Sequence, residues 1–258
     1  MTEQTASPQN VLVTGAAGAI GRNVCEQLQA RGHTVRGFDI NPNPDVPDFI
    51  QANLTDAAAV QQAMQDIDTV VHLAAYPVDA DFMTVLLEPN VIGLYQVCNA
   101  AREASVRRLI LASTIQTVWG FPPDKFIRIE DGTLVGNHYA LSKVWAEQMG
   151  DMYARVHNME VINVRILWLA RSQEHAEALE KSGHGVNIYF SHDDAKRFFQ
   201  CAVEADQPKP GECVTVFAGS KPLNQPRVDM EPARRILGYE PQDTFPEGMP
   251  YHAIGKSA

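Results

Sequence analysis

VLVTGAAGAIGR, residues 11–22, decides the reading of this chain. Val11, Leu12 and Val13 form an uninterrupted apolar run, the pattern of a strand buried on both faces of a parallel sheet. Gly15, Gly18 and Gly21 follow, and a helical pattern then opens with Val24, Leu28 and Ala30 on one face. Strand, glycine turn and helix in that order are the context in which three glycines bind a dinucleotide. Gly15 permits the tight turn, Gly18 lets backbone N–H groups approach a pyrophosphate, and Gly21 lets the helix lie close on the strand. The helix N-terminus offers unsatisfied N–H donors and the positive end of its dipole to the phosphates. The spacing is TGxxGxxG from Thr14, and an acid, Asp39, closes the next apolar stretch at the place of a ribose diol.

Composition narrows the classes. The 258 residues are 45% hydrophobic, enough for one large α/β core with a small appendage. A net charge of −10 excludes a nucleic-acid surface or an anionic-membrane surface. No run of 18 apolar residues exists and the first ten residues have no basic or apolar targeting pattern, so neither a membrane span nor a signal peptide is expected. Cys25, Cys98, Cys201 and Cys213 are scattered with no C-x-x-C pair, which reads as reduced thiols in the cytoplasm.

Along the chain, strands are expected at 34–38, 49–54, 69–75, 107–112, 161–167 and 213–217. Helices are expected from Thr55 or Asp56 to Met64, over 80–104 with an interruption at Pro89, and over 137–157, 192–204 and 232–237. Residues 1–9 read as frayed, 120–136 as a loop, and 171–187 as irregular or partly helical. Alternation of strand and helix predicts an α/β fold, a doubly wound parallel sheet of Rossmann type, with ligands at the C-terminal ends of the strands. The expected division is a dinucleotide-binding core over 1–168 and a small substrate cap over 169–258, with 192–217 returning to the core sheet.

Chemistry is carried by Tyr139 and Lys143, a Y-x-x-x-K pair four residues apart on one helix face. An ammonium beside a phenol stabilises phenolate and pulls the Tyr pKa down, which makes Tyr139 a general base for a substrate hydroxyl. Ser113 and Thr114 place a hydroxyl pair at the end of the fifth strand. His72 reads as a structural histidine. His192, Asp193 and Asp194 read as a helix N-terminus with acids complementing the dipole, not as metal ligands; no metal is expected. Trp119 and Trp168 stand just past strand ends and are candidates for pocket walls.

Together TGAAGAIG, Asp39, Asn53-Leu54, HLAA at 72–75, NVIG around Asn90, Ser113-Thr114, YALSK and LGYEP resemble the extended short-chain dehydrogenase/reductase family, also called the NAD-dependent epimerase/dehydratase family. The resemblance covers essentially the whole chain. It implies NAD as cofactor, held against Gly15, Gly18, Ala19, Ile20, Asp39, Ile40, Asn53, Leu54, Leu73, Ala74, Ala75, Asn90, Tyr139 and Lys143. Asn90 falls where the family has an Asn that supports the Tyr and Lys; the bland alternative is a polar helix residue beside Pro89. An Asp is usual where Asn53 stands. A catalytic Ser or Thr precedes the Tyr by about 25 residues in relatives, which favours Thr114 and keeps Ser113 in reserve.

Within the family the chain most resembles the uronate dehydrogenases, through YFSHDD at 189–194, NVIGLY at 90–95 and its brevity. It departs from them at the substrate. Ile115 and Gln116 stand where they have Asn-His, Trp168 where they have Ser, and no Arg aligns with the one that reads their carboxylate, His184 being nearest by position. Those walls predict a neutral sugar or cyclic alcohol, unless Arg171 or Lys181 reaches in from the irregular segment. The resemblance thus implies oxidation of a hydroxyl of a small cyclic substrate, by an enzyme whose only expected partner is that substrate. Two other readings stay open, an NAD-retaining epimerase or dehydratase and a non-catalytic NAD-binding sensor. A homo-oligomer also stays open.

Overall fold

A computed structural model describes residues 7–251. Seven strands form a single parallel sheet in the order β3-β2-β1-β4-β5-β6-β7. They are β1 (Asn10–Thr14), β2 (Thr34–Asp39), β3 (Asp48–Gln51), β4 (Thr69–His72), β5 (Arg108–Thr114), β6 (Glu160–Ile166) and β7 (Cys213–Ala218). The chain runs outward one way from β1 through β2 and β3, then crosses back to β4 and runs outward the other way. That reversal leaves a crevice between the C-terminal ends of β1 and β4, where open α/β sheets bind ligands.

The apolar runs seen in the sequence are buried because helices cover both faces. Val11, Val13 and Val71 pack with α1 (Ala19–Ala30) and α6 (His192–Glu204) on one side. Leu12, Val70, Leu109 and Val161 pack with α3 (Leu94–Glu103) and α4 (His138–His157) on the other. The shorter helices are α2 (Ala57–Ala63), α5 (Gln173–Lys181) and α7 (Glu231–Leu237). β7 pairs with β6 from Val161↔Cys213 to Ile166↔Ala218, so this part of the last third lies in the sheet.

Local chemistry sets the helix starts. Asp56 caps α2 through Ala59 N, Asn137 caps α4 through Ala140 N, Ser172 caps α5 through His175 N and Ser191 caps α6 through Asp194 N. The stretch before α3 differs from expectation: 82–93 winds as a wide π-type helix across Pro89 and becomes regular only at Leu94. Proline has no N–H to close a four-residue ladder, and Asn90 is held by tertiary bonds described below. β5 runs two residues further than expected and includes both Ser113 and Thr114. The expected frayed start lies outside the described residues up to residue 6, and Gln9 is anchored: its backbone N–H donates to His33 Nδ1 and its amide to Val203 O.

Candidate active site

Gly15 adopts φ +72, and a Cβ on it would stand 2.7 Å from Ala74 N. A Cβ on Gly21 would collide with the Gly15 carbonyl oxygen. The two glycines therefore let β1, α1 and the end of β4 approach one another. Unlike the four capped helices, α1 starts at Gly18 with no side-chain cap and no acid in its first turn. Its first N–H groups are left for an anion, which fits a dinucleotide pyrophosphate.

A cavity of about 920 Å³ opens over this turn. Gly15, Gly18, Ala19 and Ile20 form its floor, and Asp39, Ile40, Asn53 and Leu54 one end. Leu73, Ala74 and Ala75 line it from just beyond β4; Ser113 and Thr114 from the end of β5, with Ile115 and Gln116 just after it; Trp168 from beyond β6. Tyr139 and Lys143 enter from α4. Asp39 accepts from Ala17 N at 3.0 Å and from Asn41 N at 2.9 Å, so its carboxylate is fixed beside the glycine turn. Asn53 Oδ1 accepts from Thr55 N at 3.0 Å. Arg36 is turned away, donating to Asp48 and to the Ala63 and Gln65 carbonyls, and Arg22 donates to Ala17 O and Asn43.

Successive side chains on a strand point to opposite faces, and the hydroxyl pair divides accordingly. Thr114 turns its hydroxyl into the cavity beside Tyr139, where it lowers the pKa of the phenol. Ser113 donates instead to Glu147, which is also paired bidentately with Arg165 in a buried cluster. The reserve role for Ser113 is therefore corrected: its hydroxyl is engaged by the core ion pair. Asn90 is also corrected as a cofactor contact, because it does not line the cavity. Its Oδ1 accepts from Tyr76 N at 2.8 Å, while its Nδ2 donates to Tyr76 O and to Ser142 Oγ. Ser142 in turn donates to Tyr139 O. Asn90 thus braces the first turn of α4 from behind. His72 is buried against the Thr14 hydroxyl at 2.8 Å; burial, and then the Lys143 charge, push it down to about 3, so it stays neutral.

The electrostatics differ from the simple Tyr–Lys pair. Burial holds the Tyr139 hydroxyl above the ordinary tyrosine value, opposed by the Thr114 hydroxyl and then by the charge of Arg171. Arg171 is thus a second cation near the phenol, besides the Lys143 ammonium 5.9 Å from the Tyr139 ring centroid. Lys143 donates to Ala112 O at 3.0 Å, and burial alone pulls its ammonium from 10.5 to about 8. Because the folded value is the lower one, this group's stabilising contribution is complete above pH 10.5 and lost as pH falls through about 8. At neutral pH the buried ammonium costs on the order of 3 kcal/mol. Lys143→Met, which keeps the length and removes the charge, is expected to raise Tm at pH 7 by about 3–6 °C, part of the relief being offset by the lost bond to Ala112. Thermal melts at pH 7 and pH 10 check it: the gain must shrink at the higher pH.

Sequence reasoning missed Asn137 and His175, which also line the cavity. Asn137 caps α4 and donates to Gln116 Oε1 at 2.8 Å, tying the substrate wall to the helix that carries Tyr139. Arg171 lines the wall as well, and among the described residues its guanidinium has no hydrogen-bond or ion-pair partner. The premise of a pocket without a cation is therefore corrected. Lys181 is not on the wall and pairs with Glu177, and His184 lies off the cavity.

A model of the NAD dependent epimerase/dehydratase family matches residues 11–170. The chain belongs to this family. It is similar to the L-arabinose 1-dehydrogenase (NAD(P)(+)) of Haloferax volcanii, 28% identical over 90% of this chain and 96% of that one. It is also similar to the uronate dehydrogenase of Agrobacterium fabrum, 31% identical over 72% of this chain and 68% of that one. A mutant uronate dehydrogenase from Agrobacterium tumefaciens complexed with NAD superimposes with a TM-score of 0.79 at 27% identity, covering 92% of this chain and 86% of that one.

Proposed function

We propose that this protein is an NAD-dependent oxidoreductase that oxidises a hydroxyl of a sugar. The observation that carries the reading is one cavity holding an uncapped glycine turn at one end and the Tyr139–Thr114 hydroxyl pair with Lys143 at the other. Bound NAD supplies the acceptor for the hydride that leaves the substrate carbon. Tyr139 takes the hydroxyl proton as the C–O bond becomes C=O, Thr114 donates to the same oxygen, and Lys143 holds the ribose next to the nicotinamide. Gly15, Gly18, Ala19 and Ile20 cradle the pyrophosphate. Asp39 accepts from the adenine ribose, and Asn53 and Leu54 border the adenine.

The relatives' names divide between a neutral sugar and a sugar acid. Arg171 on the wall supports the acid, because a guanidinium fork pairs both oxygens of a carboxylate. The substrate read here is a sugar carrying an acid group, with Ile115, Gln116 and Trp168 around its ring. A cytoplasmic setting goes with this reading, supported by four free cysteines; no helix among the described residues is long and apolar enough to cross a membrane.

Absorbance at 340 nm with glucuronate, galacturonate and their neutral aldoses tests the activity. A dehydrogenase accumulates NADH; an epimerase that keeps its cofactor does not, and a sensor turns nothing over. Asp39 decides between cofactors, since its charge repels a 2′-phosphate and neither Arg22 nor Arg36 lines the cavity to offset it. The expected preference for NAD over NADP in kcat/KM is on the order of tenfold or more, falling by about that factor in Asp39→Ala. Equal kcat/KM for both cofactors in the unaltered protein would overturn this assignment.

A further inference from the structure

The YFSHDD stretch has no part in the chemistry above, yet all its side chains except the exposed Asp193 are buried or bonded. Tyr189 donates to Glu247 O, and His192 N–H donates to Gly248 O. Asp194, fully buried, accepts from the backbone N–H groups of Gln242 and Asp243. The stretch therefore seats the segment 242–251 along the start of α6. That segment ends over the residues that follow β6, where Tyr251 donates to Arg171 O at 2.7 Å.

The neighbouring carbonyl is held in the same way. His192 Nε2 lies 2.8 Å from Ala170 O. Its other nitrogen, Nδ1, faces Asn23 Nδ2 at 2.8 Å, and Asn23 Nδ2 also donates to Ala19 O. An amide donor on Nδ1 leaves the proton on Nε2, so His192 donates to Ala170 O. The His192 and Tyr251 rings meet edge to face, 6.0 Å apart. Two consecutive carbonyls are thus pinned by two side chains from distant parts of the chain, directly before the capped start of α5. Buried loop carbonyls need partners, but side-chain donors on both neighbours fix the loop's path as well as satisfying it.

We propose that Tyr251 and His192 are positioning residues that hold the Ala170–Arg171 backbone so that the Arg171 guanidinium faces the substrate end of the cavity. This rests on the reading of Arg171 as the group that meets the acid on the sugar. The four-bond arginine side chain is flexible, so the placement of its charge depends on its backbone being fixed, and the C-terminal segment does that. Tyr251 and His192 touch neither Tyr139 nor the glycine turn, and the Arg171 charge is the smallest of the three influences on the Tyr139 phenol, so the effect falls mainly on substrate binding.

Tyr251→Phe tests this, because it deletes the donor to Arg171 O and keeps the ring against His192. Steady-state kinetics with glucuronate and with glucose are compared for the unaltered protein, Tyr251→Phe and Arg171→Ala, alongside hydrogen exchange of the 167–182 backbone. Loss of one hydrogen bond is expected to raise KM for glucuronate about fivefold. The kcat on either sugar and KM for glucose stay within twofold, and exchange in 167–182 quickens with Tm nearly unchanged. Arg171→Ala raises KM for glucuronate further. Unchanged exchange in Tyr251→Phe overturns the proposal, as does quickened exchange with KM for glucuronate unmoved while Arg171→Ala still raises it. If Arg171→Ala leaves KM for glucuronate where it was, or the unaltered protein reduces no NAD with any sugar, the reading beneath the proposal fails and takes the proposal with it.

Discussion

Tyr139→Phe is expected to lower turnover by a factor on the order of 10² to 10⁴, the range for removing a positioned acid–base group. The substitution removes one oxygen from a ring that is 6% exposed, and its loss leaves the Thr114 hydroxyl still on the cavity wall. Burial disfavours the phenolate, so the fold gains nothing from ionisation at this site and does not depend on it. Tm and the affinity for NAD, followed by fluorescence titration, are therefore expected to stay close to the unaltered values. In the unaltered protein the rate of oxidation must climb with pH on the alkaline side, because the acting form is the phenolate and its pKa lies above the ordinary value. A variant that keeps more than about a tenth of the activity would assign the proton to another group.

The parts of the site that were legible in the sequence are those built by local contacts. The glycine turn is spelled out in twelve residues because strand, turn and helix are adjacent in the chain, and the Tyr139–Lys143 face follows from helix geometry alone. The Ser113–Thr114 pair marks the limit. Strand alternation guarantees that one of two adjacent hydroxyls faces the cavity, but the choice is made by Glu147, which lies one turn beyond Lys143 on another element and captures Ser113. The winding over 82–93 was hidden for the same reason, since Asn90 is engaged by Tyr76 and Ser142 and not by its own helix. Arg171 is the clearest case: its own segment is polar and irregular in pattern, and its backbone is fixed by Tyr251, 80 positions away.

Glu147→Ala is expected to cost about 3–5 kcal/mol of stability, the range for removing one partner of a buried ion pair. Glu147 and Arg165 have side chains only 7% and 4% exposed, and the carboxylate takes two hydrogen bonds from the guanidinium, at 2.9 and 2.8 Å, besides that of Ser113. Without it Arg165 remains buried over the Phe217 ring with a single long bond to Gly132 O, and water cannot replace the lost charge there. In a domain of this size that loss corresponds to a fall in Tm of about 6–20 °C. The pair as a whole need not be worth so much, because both ions lost their hydration on burial. Glu147→Leu with Arg165→Met fills the space without charge, and its Tm is expected to lie closer to the unaltered protein than that of Glu147→Ala. Melting curves of the unaltered protein, Glu147→Ala, Glu147→Leu, Arg165→Met and the double variant measure this. A double variant as unstable as the sum of its singles would mean that the two charges act independently, and that β6 is not held to α4 through them. The freed Ser113 adjoins Thr114, so the double variant also separates folding from chemistry: restored Tm with reduced kcat would assign the ion pair the further task of fixing the Thr114–Tyr139 geometry.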